Sequence, residues 1–171
     1  MAQNIDHAVY NSADCQDAEE LDRMELGIHV SLTYEKLIAA NTIELVKSPK
    51  AGAVVVFLGC TRASFDGKTV THLKYSAYVP LALRTLIDIA REIRAAYPAI
   101  AIAIVHRLGR VNVSEESIII AVSSAHRATA FAAGEVCLER VKNEVEIWKE
   151  EWFADGGLWR ANKDGKTGVP I

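Results

Sequence analysis

The chain has 171 residues, half of them apolar and 24% charged, which suits one globular domain with a buried core. Its formal net charge of -3 excludes a general nucleic-acid binder, whose affinity rests on a basic surface, but leaves room for a local basic pocket. No stretch is apolar for long enough to span a bilayer and no targeting signal is legible, so a cytosolic protein is expected.

Asp14, Asp17, Glu19, Glu20, Asp22 and Glu25 dominate the first 27 residues, a composition that stays solvated as a tail. Ile28, Val30 and Leu32 then alternate with polar neighbours, as in a half-buried strand. Asn41 followed by Glu44 matches a capping box and predicts a short helix over 43–47, stopped by Pro49. The apolar run 52–59 reads as a central strand, buried on both faces, that leads straight into Cys60-Thr61-Arg62. Asp66-Gly67 marks a turn. From Val70 to Tyr78, Leu73, Tyr75 and Ala77 alternate with His72, Lys74 and Ser76. Pro80 then suits the first turn of a helix with the apolar stripe Leu83, Leu86, Ile87, Ala90 and Ile93. Tyr97-Pro98 ends it.

Residues 100–105 form the next strand, followed by His106-Arg107-Leu108-Gly109 and an exposed excursion over 111–116. Residues 118–122 are apolar and β-branched throughout except Ala121, the mark of a buried strand. This run passes directly into Ser123-Ser124-Ala125-His126-Arg127 and a helix expected to bury Phe131, Leu138 and Val141, with Ala132, Ala133 and Gly134 allowing close approach. Residues 145–152 alternate as a last strand, and Asp155-Gly156-Gly157 is a turn. The order predicts an α+β two-layer sandwich of ferredoxin-like character, with two main helices over a largely antiparallel sheet.

The chemistry-bearing residues are basic. A helix start carries unpaired N–H groups, so His126-Arg127 stands where an anion is already favoured, and a guanidinium grips phosphate or carboxylate through paired hydrogen bonds. Arg62 follows the first long strand, Lys142 ends the second long helix, and Lys149 lies in the last strand beside Trp148. An ammonium walled from water by an indole is a usable proton donor or acceptor; alternatively Trp148 faces outward and Glu150 or Glu151 holds Lys149. His106-Arg107 leads into a turn rather than a helix and reads as structural, its arginine ion-paired or at an interface. Cys15, Cys60 and Cys137 have no metal-ligand spacing and suggest a reducing compartment; Cys60 reads as packed rather than nucleophilic. No glycine-rich phosphate loop, zinc spacing or Ser-His-Asp order is present, so neither cofactor nor metal is expected.

Together, the run from Gly52 to Arg62, His106-Arg107-Leu108-Gly109, Ser123-Ser124-Ala125-His126-Arg127 and Val145-Glu146-Ile147-Trp148-Lys149-Glu150-Glu151 resemble the large, catalytic subunits of molybdopterin synthases. The resemblance covers Ile28 to Lys163. It implies a sulfurtransferase of molybdenum-cofactor biosynthesis that converts cyclic pyranopterin monophosphate into molybdopterin. The sulfur would come from the C-terminal Gly-Gly thiocarboxylate of a small ubiquitin-like partner, within a heterotetramer built on a central large-subunit dimer. On matching motifs, Lys142 and Lys149 are the catalytic candidates. Arg62, His126, Arg127, Lys142, Lys149, Glu150, Glu151 and Lys163 are the substrate-binding ones. The implied division is a tail over 1–27, a catalytic domain over 28–163 and a second tail over 164–171. The competing reading is a non-catalytic ferredoxin-like module that binds an anionic metabolite or a peptide tail.

Overall fold

The computed structural model describes residues 10–11, 27–161 and 169–170, with side chains over 27–156. Two sheets share the chain. In the first, β1 (Tyr10–Asn11), β2 (Ile28–Thr33), β6 (Ala99–Arg107), β8 (Glu116–Ser124) and β3 (Ala53–Cys60) lie side by side in that order. Only the β2–β6 pair is parallel. In the second, β5 (Lys68–Ala77) pairs β4 (Ser64–Phe65), β7 (Gly109–Asn112) and β9 (Ile147–Phe153). Beyond β9 come β10 (Gly156–Ala161) and β11 (Val169–Pro170). Short strands from both stretches read as tails thus add to a sheet.

The core follows from strand alternation. In β6, Ile102 and Ile104 point to one face of the sheet and Ala101 and Ala103 to the other, all nearly or fully buried. The isoleucine face joins Ile120 and Val122 of β8 against the two long helices, α2 (Val79–Ala96) and α3 (Arg127–Glu144). The alanine face, with Ala121, is shallow enough for the short helix α1 (Ala39–Val46) to settle on it through Val46. The α+β class and the two long helices over a largely antiparallel sheet are as expected. The additions are α1 on the opposite face and the second sheet.

Four local expectations need correction. Helix α1 begins after Ile38, with no side-chain cap, so Asn41 lies inside the helix and forms no capping box. β3 is an edge strand, because β8 takes the place between it and β6; Val54 and Leu58 are accordingly 37% and 40% exposed. The excursion over 111–116 contains β7, whose Val111 is fully buried. Helix α3 buries Ala130, Ala133, Gly134, Cys137 and Val141, a stripe at helical spacing that excludes Phe131, which is 63% exposed. The Asp66-Gly67 turn is as read: both residues have positive φ, 48° and 76°, the backbone of a two-residue hairpin joining β4 to β5.

Candidate active site

A cavity of about 420 Å³ opens where the two sheets meet the last turns of α3. Arg62 enters it from the connection after β3, Lys142 from α3, and Lys149 and Glu151 from β9. Phe57, Phe65, Leu73, Tyr75 and Ile118 supply apolar and aromatic wall between these charges. The lining therefore suits an anionic ligand with a partly apolar body.

Strand period decides which residues of β9 take part. Lys149 and Glu151 face the cavity, where the Lys149 ammonium lies 3.2 Å from Glu151 Oε1; their side chains are 15% and 5% exposed. Glu150 and Trp148 take the opposite face. Trp148 is 37% exposed and cannot wall off Lys149, and Glu150 accepts a hydrogen bond from Trp152 Nε1 at 3.1 Å. The expected place for Glu150 in the site is corrected on that ground. On β5, Leu73 and Tyr75 sit directly across from Glu151 and Lys149.

Arg62 is exposed, and its guanidinium carbon lies 5.5 Å from the centre of the Phe65 ring. That stacking limits how far the side chain can swing. Lys142 is half-buried in the last turn of α3, where the partial negative charge of the helix end favours a cation.

His126 and Arg127 do not line the cavity of their own chain; both are exposed at the first turn of α3. Arg127 and Lys142 are separated by about 22 Å of helix at 1.5 Å per residue, so one protomer cannot bring both to one ligand. Ser124 is buried; its hydroxyl donates to the Pro98 carbonyl at 3.2 Å rather than capping the helix. Lys163 lies outside the described residues.

His106, read as structural, lines the cavity. It is 2% exposed and meets the Tyr75 ring edge-on at 4.9 Å. Its position was available from alternation, since 102, 104 and 106 share a strand face. Burial pushes its pKa from 6.5 down to about 4, against a hydrogen bond with the Arg107 carbonyl that raises it. The ring is therefore neutral at physiological pH, with Nδ1–H donating to that carbonyl at 2.8 Å. Between pH 6.5 and 4 the unfolded chain takes up a proton here that the native chain refuses. Stability should therefore fall with falling pH, by about 2–3 kcal/mol from this group. Urea unfolding at pH 7 and pH 4.5 checks this: His106→Gln should lose that part of the pH dependence, and an unchanged dependence would contradict it.

The two other described motifs are quieter. Arg107 Nη1 donates to Glu115 Oε2 at 2.9 Å, the ion pair expected of it. Cys60, expected to be packed, is instead exposed on the cavity rim at the end of the edge strand β3, whereas Cys137 is buried in α3, its thiol pushed up to about 12 by desolvation. Among the described residues no group of three or more His, Cys, Asp or Glu is placed to hold a metal, and no helix is long and apolar enough to cross a membrane.

Residues 32–144 match the family model described as MoaE protein. The chain belongs to the MoaE family. Its relatives include the molybdopterin synthase catalytic subunit of Pyricularia oryzae, 54% identical over 86% of this chain and 81% of that one. The molybdopterin synthase catalytic subunit of Neurospora crassa is 49% identical over 94% of this chain and 82% of its own. Among solved structures, molybdopterin synthase from Staphylococcus aureus superposes with a TM-score of 0.73 at 38% identity, covering 75% of this chain and 94% of that one. A complex of subunits 1 and 2 of molybdopterin-converting factor from Helicobacter pylori matches with a TM-score of 0.65. At 18% identity, covering 81% of this chain and 92% of that one, it speaks for the fold alone. The matched span 32–144 contains Arg62 and Lys142 of the cavity; Lys149 and Glu151 lie just beyond it.

Proposed function

We propose that this MoaE-family chain is the sulfur-transferring subunit of a molybdopterin synthase, and that the Arg62–Lys142–Lys149 cavity is its reaction site. Cyclic pyranopterin monophosphate is the acceptor. The donor is the C-terminal Gly-Gly thiocarboxylate of a small ubiquitin-like partner, and two charged partners are used for each dithiolene. The observation that carries the reading is the convergence of three cations from three separate elements, the connection after β3, α3 and β9, on one cavity with an aromatic wall. Both reactants are anionic, and a preorganised cationic cleft lowers the cost of bringing them together. Arg62 binds the phosphate, and Lys142 delivers the proton to the departing oxygen as sulfur attacks. Lys149, held by Glu151, is oriented toward the same reacting groups.

His126 and Arg127 join this site by way of a second copy of the chain. The length of α3 keeps them from their own cavity. Phe131 beside them and the edge strand β3, with exposed Val54 and Leu58, present apolar surface that a second copy would cover. The working unit is then a central dimer with a small partner at each end, placed in the cytosol. The test is reconstitution: purified chain, thiocarboxylated partner and cyclic pyranopterin monophosphate should yield the dithiolene product. Partner binding without product would favour the binding-module reading instead.

A further inference from the structure

The Arg62 guanidinium extends from the three-residue connection Thr61-Arg62-Ala63 between β3 and β4, yet that connection is clamped on both sides. Ala63 O accepts from Val70 N at 2.9 Å on one side. On the other, Thr61 N donates to Glu115 O at 3.0 Å, and Ser114 N donates to Thr61 O at 2.9 Å. Thr61 is 3% exposed and its hydroxyl has no hydrogen-bond partner among the described residues, so its main chain does the anchoring. The turn that holds Thr61 is itself gathered by one carboxylate. Glu115 Oε2 accepts from Arg107 Nη1 at 2.9 Å, from Asn112 N at 3.1 Å and from Asn112 Nδ2 at 3.2 Å. Its Oε1 meets Lys36 Nζ at 2.9 Å.

We propose that Arg107 and Glu115 are positioning residues for Arg62: their ion pair fixes the 112–116 turn, whose main chain holds Thr61 and so aims the neighbouring guanidinium into the cavity. The inference rests on the reading of Arg62 as the phosphate ligand. Two features support the clamp as built for this. Arg107 and Glu115 are 12% and 17% exposed, dry enough for their pairing to be stiff. The carboxyl is held far down, to about 2, chiefly by the Lys36 and Asn112 contacts, so it stays ionised across the working pH range. This also gives a purpose to His106-Arg107-Leu108-Gly109, in which His106 faces the cavity and Arg107 the clamp.

The experiment uses the full chain bound to its small partner in the uncharged, carboxylate form, titrated calorimetrically with cyclic pyranopterin monophosphate. Arg62→Ala should weaken binding about tenfold or more, and Glu115→Gln and Arg107→Lys about three- to tenfold each. The double variant Arg62→Ala/Glu115→Gln should bind no more weakly than Arg62→Ala alone, because the clamp acts only through Arg62. With charged partner, Glu115→Gln should raise KM and leave kcat near wild type. Arg107→Lys keeps the charge and serves if Glu115→Gln lowers Tm too far for titration. Wild-type affinity in both clamp variants, or additive losses in the double variant, overturns the proposal. Undiminished binding by Arg62→Ala instead shows that the reading of Arg62 is at fault, and the inference falls with it.

Discussion

Lys142→Ala, assembled with thiocarboxylated partner, is expected to lose turnover by about 10²–10⁴-fold while binding the partner as wild type does. The ammonium sits in the last turn of α3 with its head toward the cavity that Arg62 and Lys149 also enter. Lys149 cannot substitute, because Glu151 holds it at 3.2 Å from the other wall. The informative companion is Lys142→Arg. A guanidinium keeps the charge and much of the length but does not give up a proton in the working pH range. A site that merely binds anions tolerates that change, whereas an acid catalyst does not. Product formation under saturating partner and pterin phosphate measures both variants. Full activity in Lys142→Arg would remove the proton-transfer role and leave Lys142 a binding residue.

The second large effect is expected from a mixture. Arg127→Ala and Lys142→Ala should each be nearly inactive alone, since each damages both sites of a symmetric dimer. Co-refolded in equal amounts, half of the dimers are mixed, and in each of those one site has an intact Lys142 from one chain and an intact Arg127 from the other. Activity should return to about a quarter of wild type. The separation of about 22 Å between the two ends of α3 is what forces this result. If Arg127 served its own chain's cavity, every site in the mixture would still lack one of the two groups, and no activity would return.

The parts of this chain that were legible in sequence share a cause. Residues 100–105 and 118–122 are uninterrupted apolar runs rich in β-branched residues, the pattern of a strand buried on both faces. The α2 stripe was legible because a surface helix must sort its apolar residues to one side. Signals failed where local pattern and tertiary context disagree. β3 is as apolar as a central strand, and nothing local says that β8 takes the inner place. β7 buries one residue, Val111, too few for any periodicity. Phe131 reads as buried alongside Leu138 and Val141, yet the helix turns Ala130, Ala133, Gly134 and Cys137 inward, with Gly134 facing Val55 and Val122.

The site divides the same way. Arg62, Lys142, Lys149 and Glu151 could be named together only through family resemblance, because no local pattern reports that the ends of β3, α3 and β9 converge. Glu150 is different: strand period alone separates it from Lys149 and Glu151. His106 likewise was accessible from its place in register with Ile102 and Ile104. The strand-to-helix junction at His126 was read correctly as local structure, for residue 127 opens α3. What it could not convey is that a helix of 18 residues carries its two ends to different surfaces.

The most direct measurement is a crystal structure of the chain with its small partner in carboxylate form and cyclic pyranopterin monophosphate bound. The expected result has the phosphate on Arg62, with His126 and Arg127 of a neighbouring copy closing over it, and the terminal glycine of the partner against Lys142 and Lys149. A partner tail seated outside the cavity, or a phosphate bound where none of these cations reaches, would contradict it.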